Sequence, residues 1–276
     1  MAPRWSEPAA TAARIFDAAA DYYDAPANSF WKRFGQRTVD RLHLTPGQRV
    51  LDVCCGSGSS LCAAAHAVGP IGHVVGIDVS QRLLDLAWRR ALAEGVERRV
   101  GLRAAELLTA DLPEASFDAV VCVFGIFFEP AMERATARLW SWVAPGGALA
   151  LTVWGRGSFE PAESAFWNAL GAERREIRRG GQPWERLETA EALAALYAAA
   201  GASPAEATLE RGVHRLESPE DWWTIVLGTA YRGIVDELAP EARERVREAT
   251  LAAISTAGIA DIAADVVYGV ARKPAA

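Results

Sequence analysis

The sequence predicts an α/β fold with helices on both faces of a sheet, and two patterns carry that prediction. Short runs of β-branched and aliphatic residues alternate with helical stretches along most of the chain. The first of those runs leads into a small-residue loop that opens a helix, and the second ends in an acid.

Ahead of residue 45 the pattern is helical, over 11–23 and 29–44, with Ala25-Pro26 as the breaker between them. Thr45-Pro46-Gly47 turns the chain into a short apolar strand at 49–53. An alanine-rich helix follows at 59–68, and Gly69-Pro70-Ile71-Gly72 turns it into a second strand at 73–77. Leu83, Leu84, Ala87 and Leu92 make an apolar stripe that marks 81–94 as an amphipathic helix. Strands are expected at 100–103 and at 117–124, where Val120, Val121 and Val123 read as a buried run. A helix over 131–142 stops at Ala144-Pro145-Gly146-Gly147, and a fifth strand occupies 148–154. The remainder reads as a helix at 187–200, a strand at 205–210, helices at 222–238 and 241–257, and a last strand at 262–271. No repeat or low-complexity linker interrupts the chain, so it reads as one domain. Within it, 1–45 form a helical cap, 46–154 a core, 155–186 an insertion or lid, and 187–276 the part that completes the sheet and pocket.

Composition narrows the function. The 276 residues are 51% hydrophobic and 23% charged, the balance of a chain able to bury a large core without disulfides or metal. With 29 basic against 35 acidic side chains the net charge is −6, which disfavours nucleic acid as the main partner. The amino terminus lacks the apolar region of a signal peptide, and no run approaches 18 apolar residues, so a cytoplasmic protein without membrane insertion is expected. Cys54, Cys55, Cys62 and Cys122 form no Cys-x-x-Cys pair and the four histidines show no ligand spacing, so no metal is expected.

The chemistry concentrates in Val50-Leu51-Asp52-Val53-Cys54-Cys55-Gly56-Ser57-Gly58 and in Gly76-Ile77-Asp78-Val79-Ser80. Strand, glycine loop and helix let backbone approach a ligand closely. Asp78, 26 positions after Asp52, stands where an acid can accept both hydroxyls of an adenosine ribose. A nicotinamide-binding loop would need glycine three residues after Gly58, and Leu61 is there; no Gly-Lys-Ser/Thr follows to make a phosphate-binding Walker loop. The alternative for Asp52 and Asp78 is plain turn acids.

These residues resemble class I S-adenosylmethionine-dependent methyltransferases, in particular the small-molecule branch that includes the ubiquinone and menaquinone enzymes. Asp-Val-Cys-Cys-Gly-Ser-Gly looks like the family's first motif, Asp-x-Gly-Cys-Gly-x-Gly, with Cys54 in place of the usual first glycine. Gly76-Ile77-Asp78-Val79-Ser80 with Leu83-Leu84 looks like the second, and Leu112-Pro113, Ser116-Phe117-Asp118 and Ala144-Pro145-Gly146-Gly147 match later landmarks. The resemblance implies a Rossmann-like, mostly parallel sheet of seven strands with helical lid elements. It also implies S-adenosyl-L-methionine as cofactor, S-adenosylhomocysteine as product, and a small-molecule acceptor.

Carried over residue by residue, Asp52 orients the loop and the amino end of the methionine moiety, with Cys54 as a bulkier wall nearby. Gly56, Ser57 and Gly58 pass beneath the cofactor, Asp78 holds the ribose, and Val79 and Leu83 wall the adenine. Glu106 stands near the adenine amino group with Leu107 beside the ring, Asp111 competing for that role; Phe124 and Gly125 line the sulfonium.

The acceptor side is less defined. No Asn/Asp-Pro-Pro-Tyr/Phe follows the fourth strand, which disfavours amide or adenine-amino methylation. Phe124, Phe127 and Phe128 suit an apolar or aromatic acceptor, or are ordinary core. Trp223 and Arg232 are further candidates for the substrate pocket. Tyr22, Tyr23, Asp24, His214 and Tyr231 are the candidate bases, His214 with a structural role as its alternative. Arg174, Arg175, Arg178 and Arg179 could clamp an anionic group or form a solvated helix end. The expected reaction is methyl transfer to a hydrophobic or aromatic small molecule on carbon, oxygen or nitrogen, of the secondary-metabolism kind, by a monomer or homodimer. The alternative is a cyclase or ligand-binding regulator that keeps the cofactor.

Overall fold

A computed structural model describes residues 5–174 and 183–275. Nine strands are seen among them: β1 (Arg49–Val53), β2 (His73–Asp78), β3 (Val100–Ala104), β4 (Phe117–Val123), β5 (Val143–Trp154), β6 (Ala205–Glu210), β7 (Val213–Arg215), β8 (Asp261–Ala263) and β9 (Val266–Arg272). Seven form one sheet in the order β3-β2-β1-β4-β5-β9-β6, and β7 pairs with β8 apart from it. The pairs β1–β2, β1–β4, β2–β3 and β4–β5 are parallel, while β9 runs antiparallel to both neighbours, β5 and β6. This is the α/β, Rossmann-like fold of class I methyltransferases, with the expected seven strands.

Side-chain alternation along the central strands divides the interior into two layers. Leu51 and Val53, Val120 and Cys122, and Leu149, Leu151 and Val153 face one layer with Phe30, Phe34 and Trp142. Val50, Ala119, Val121, Ala148 and Ala150 face the other, against Leu61, Ala64, Ala87 and Ala91. The second layer is built largely of alanine and valine, so α3 (Ser59–Ala67) and α4 (Gln81–Ala93) lie close to the sheet. Ser80 caps α4, its hydroxyl accepting from the Leu83 amide at 3.1 Å.

The helical cap comprises α1 (Glu7–Tyr23) and α2 (Phe30–Asp40), joined by a short turn at Pro26–Asn28. α1 starts four residues before the expected position because Ser6 caps it. Beyond the core come α5 (Met132–Trp142), α6 (Ala162–Glu173), α7 (Ala190–Ala199), α8 (Pro219–Leu227), α9 (Tyr231–Val235) and α10 (Pro240–Thr256).

Several sequence expectations change here: β5 starts at Val143 and takes in Ala144-Pro145-Gly146-Gly147, and β7 has no counterpart among the expected strands. α6 lies inside the presumed insertion, with Ala162, Phe166 and Leu170 fully buried. The helix expected over 222–238 is two helices, α8 ending at its cap Gly228 and α9 starting at Tyr231; Gly228 passes against Asn28 and the Tyr22 carbonyl, where no side chain fits. The last strand is also broken. The Asp265 carbonyl accepts from the Gly155 amide (2.8 Å) and the Ser158 hydroxyl (2.7 Å), turning the chain from β8 into β9. No helix among the described residues is long and apolar enough to cross a membrane.

Candidate active site

Three residues after β1 have positive φ: Cys54 (56°), Gly56 (52°) and Gly58 (84°). At Gly56 an added Cβ would lie 2.9 Å from the Tyr23 hydroxyl; at Gly58 it would lie 3.0 Å from the Ala87 Cβ of α4. Glycine is therefore required at both by conformation and by close approach. Asp78, ending β2, ties the loop down: its carboxylate accepts from the Gly56 amide and from the Ser80 amide, each at 2.9 Å. A carboxylate has about four lone-pair sites, so these two bonds leave capacity for a ligand's hydroxyls.

Asp52 sits under the loop with no exposure to solvent. One oxygen accepts from the Ser60 hydroxyl at 2.7 Å, and the other, Oδ1, has no partner. Burial pushes this carboxyl up to about 7, the Ser60 bond opposing and the Asp78 charge adding. Ser57 donates to Asp24 at 2.6 Å, and Arg90 joins the Ser57 carbonyl (2.9 Å) to Asp24 (2.8 Å). The end of α1 is thereby held to the glycine loop.

A cleft of about 1090 Å³, its open mouth included, lies at the carboxyl ends of β1, β2 and β4. Cys54, Gly56, Asp78, Val79 and Leu83 line it on one side. Leu107, Phe124, Gly125, Phe127 and Phe128 line it on another, and Tyr23 reaches it from α1. Glu106 is buried beside this wall with its carboxylate on Ser6, whereas Asp111 is exposed.

Other expected residues lie elsewhere. His214 is in β7 with Nε2 2.8 Å from the Ala27 carbonyl and its ring edge-on to Phe30 at 5.1 Å. It does not line the cleft, and burial lowers its pKa. Tyr22, Trp223 and Arg232 line a separate groove with Glu220 and Arg243, and Arg232 pairs with Asp236 at 2.6 Å. Arg175, Arg178 and Arg179 lie outside the described residues.

The wall most remote from sequence reasoning is aromatic. Trp31, Trp154, Phe159, Trp184 and Tyr231, drawn from five segments, line the cleft together with Phe16. Phe124 stacks on Trp154 (4.0 Å, 18°), Tyr23 stacks on Trp31 (5.2 Å, 8°), and Trp154 tilts against Phe159 (4.6 Å). Trp154 could have been found from sequence, since it ends the strand beside β4; Tyr231, a candidate base by sequence, does line the cleft, and Trp31 carries no such signal.

The thiols beside the glycine loop are shifted away from ionisation. The hydrogen bond to Cys122 and then burial hold Cys54 well above the usual thiol range, and burial does the same for Cys55. Burial similarly keeps the Tyr23 phenol neutral, with the Asp78 charge adding. No cluster of three potential metal ligands occurs among the described residues.

Residues 50–147 match the family model described as a methyltransferase domain. Aklanonic acid methyltransferase DauC of Streptomyces sp. (strain C5) is 34% identical over 139 residues, covering 50% of this chain and 63% of that protein. Nocamycin O-methyltransferase of Saccharothrix syringae is 34% identical over 160 residues, 57% of this chain and 54% of that protein. The chain thus spans between half and two thirds of the length of these relatives. Among solved structures, the [4+2]-cyclase SpnF superposes with a TM-score of 0.55 at 22% identity, over 89% of this chain and 81% of that one, a likeness of fold.

Proposed function

We propose that this chain is an S-adenosylmethionine-dependent methyltransferase for a hydrophobic or aromatic small molecule. The observation that carries the reading is continuity: one cleft runs from the glycine loop and Asp78 to a chamber walled by Phe124, Trp154, Phe159 and Tyr231. Two relatives named for methylation of small molecules are consistent with it.

The residues present fit the cofactor. Asp52 has an orphaned, buried oxygen under the loop, where an ammonium would satisfy it. Asp78 borders the cleft with lone pairs to spare for ribose hydroxyls, and Val79, Leu83 and Leu107 offer apolar walls for a purine. Cys54, in place of the usual first glycine, is accommodated at φ 56° with its thiol turned to Cys122.

When bound, the cofactor supplies a methyl group on a positively charged sulfur. The chain's task is alignment and exclusion of water. Phe124 and Trp154 present stacked rings whose faces favour a cation. The aromatic wall holds a flat acceptor in one plane, and such orientation is worth ~7–11 kcal/mol of barrier when the reacting atoms are held in near-attack geometry. His214 lies turned toward Ala27 and Tyr22 lines a separate groove, which leaves alignment as the main contribution in this reading. The acceptor is an apolar ring compound of the quinone or secondary-metabolite kind, and the protein acts in the cytoplasm.

Calorimetric titration with S-adenosylmethionine and S-adenosylhomocysteine tests the reading. Micromolar binding is expected, lost in Asp78→Ala, followed by release of S-adenosylhomocysteine when acceptors are screened by mass spectrometry. A folded protein that binds neither ligand overturns the cofactor assignment. Binding without methyl release in any screen would favour a cyclase or a ligand-binding regulator.

A further inference from the structure

Glu129 stands on the cleft wall and has no part in the roles assigned so far. It closes the tight turn Ile126–Phe128 that follows β4, its amide donating to the Ile126 carbonyl at 3.1 Å, so its backbone is fixed relative to Phe124 and Gly125. The other acids at this wall are engaged: Asp78 by the Gly56 and Ser80 amides, Glu106 by Ser6. Among the described residues nothing hydrogen-bonds or ion-pairs with the Glu129 carboxylate, although it is half-buried.

Two titratable groups face it. Its charge reaches Cys54, whose thiol it helps to raise, and the Glu106 charge reaches it in turn. Burial and then Glu106 hold its carboxyl above the usual range. A half-buried carboxylate with no cation nearby is poorly stabilised, and a positive ligand in the cleft would relieve it.

We propose that Glu129 is the charge partner of the donor's sulfonium and lets the site distinguish methyl donor from spent product. The inference rests on the cofactor reading above, which places the sulfonium beside Phe124 and Gly125, on the segment that ends in Glu129. Donor and product share adenine, ribose, amine and carboxylate; they differ by one methyl and by one positive charge. A carboxylate facing the sulfur attracts the sulfonium and gains nothing from the neutral thioether. In a partly desolvated cleft that attraction is several times its value in water. The group therefore favours donor entry and product release.

The test is calorimetry of the full chain and of Glu129→Gln with S-adenosylmethionine and S-adenosylhomocysteine across pH 5–8, with circular dichroism confirming that the variant is folded. In the wild type the donor-to-product affinity ratio should rise with pH as Glu129 loses its proton. In the variant the ratio should fall by about tenfold at the upper end and become flat with pH. Asp52 and Asp78 act on parts common to both ligands and cancel in the ratio. An unchanged ratio overturns the pairing, and so does an equal loss of both ligands, which would set Glu129 against a shared part such as the adenine. A wild type that binds neither ligand overturns the cofactor reading, and this pairing with it; that outcome is visible without the variant.

Discussion

The Glu106 carboxylate is gripped by Ser6 from both sides, accepting from its hydroxyl at 2.5 Å and from its amide at 3.1 Å. Ser6 also caps α1, so one residue starts the helix over the cleft and latches it to the segment after β3. In Ser6→Ala the cap and one of the two bonds are lost, at a cost of about 1 kcal/mol. Hydrogen exchange in the first turns of α1 should then quicken by about fivefold, with the amides of β1 and β4 unaffected. Unaltered exchange in α1 would show that the latch does not hold it.

Asp52 gives stability a defined dependence on pH. Its carboxyl titrates near 3.8 when unfolded and at about 7 when folded, because burial disfavours the charge. Between those values the folded state holds a proton that the unfolded chain has released. The contribution is therefore full below about pH 4 and is lost as pH rises toward 7. Asp52→Asn should flatten the fall in stability between pH 5 and 7, read as the difference between wild-type and variant urea midpoints at each pH. Parallel curves would show that Asp52 is ionised in the fold.

Gly125 leaves no room for a side chain: a Cβ there would lie 2.5 Å from the Cys54 Cβ and 2.8 and 2.9 Å from the Cys54 and Cys122 sulfurs. Gly125→Ala should destabilise the protein by about 1–3 kcal/mol through overpacking. Adding Cys54→Gly removes the nearest clash and frees a position at φ 56°, so the double variant should be more stable than Gly125→Ala alone. Additive losses in thermal melts would mean that the two residues do not compete for the same space.

Tyr197 fastens the sheet where its direction reverses. Its hydroxyl accepts from the Leu151 amide (2.9 Å) and lies 2.8 Å from the Gly269 carbonyl, bridging β5 and β9. The ring lies against Gly269, where a Cβ would meet it at 2.6 Å. Tyr197→Phe leaves a buried amide unpaired and should cost about 1–3 kcal/mol, seen as a melting point several degrees lower. A variant that melts like the wild type would show the bridge to be dispensable.

Sequence alone determined the front half of the sheet. β1 falls at the expected residues, and α3, β2, α4 and β4 fall within one residue of expectation, because each is written in local terms. Apolar runs set the strands, glycines of positive φ set the loop, and Leu83, Leu84 and Ala87 set the buried face of α4, whereas Leu92, expected on the same stripe, is exposed. Cys54, Gly56, Asp78 and Leu83 could be assembled on paper for the same reason: they flank the ends of two adjacent parallel strands.

Tertiary structure decided the rest. Nothing local tells the last strand to break at Asp265, send β8 to β7 and slot β9 antiparallel between β5 and β6. Trp31, Trp154, Phe159 and Tyr231 meet in one wall only after α1, α2 and α9 have packed over the strand ends. His214, the one candidate histidine, is turned away from the cleft by the Ala27 carbonyl, 187 positions earlier in the chain. Such contacts depend on which surfaces are buried together, and a side chain's local pattern records that it is buried without recording against what.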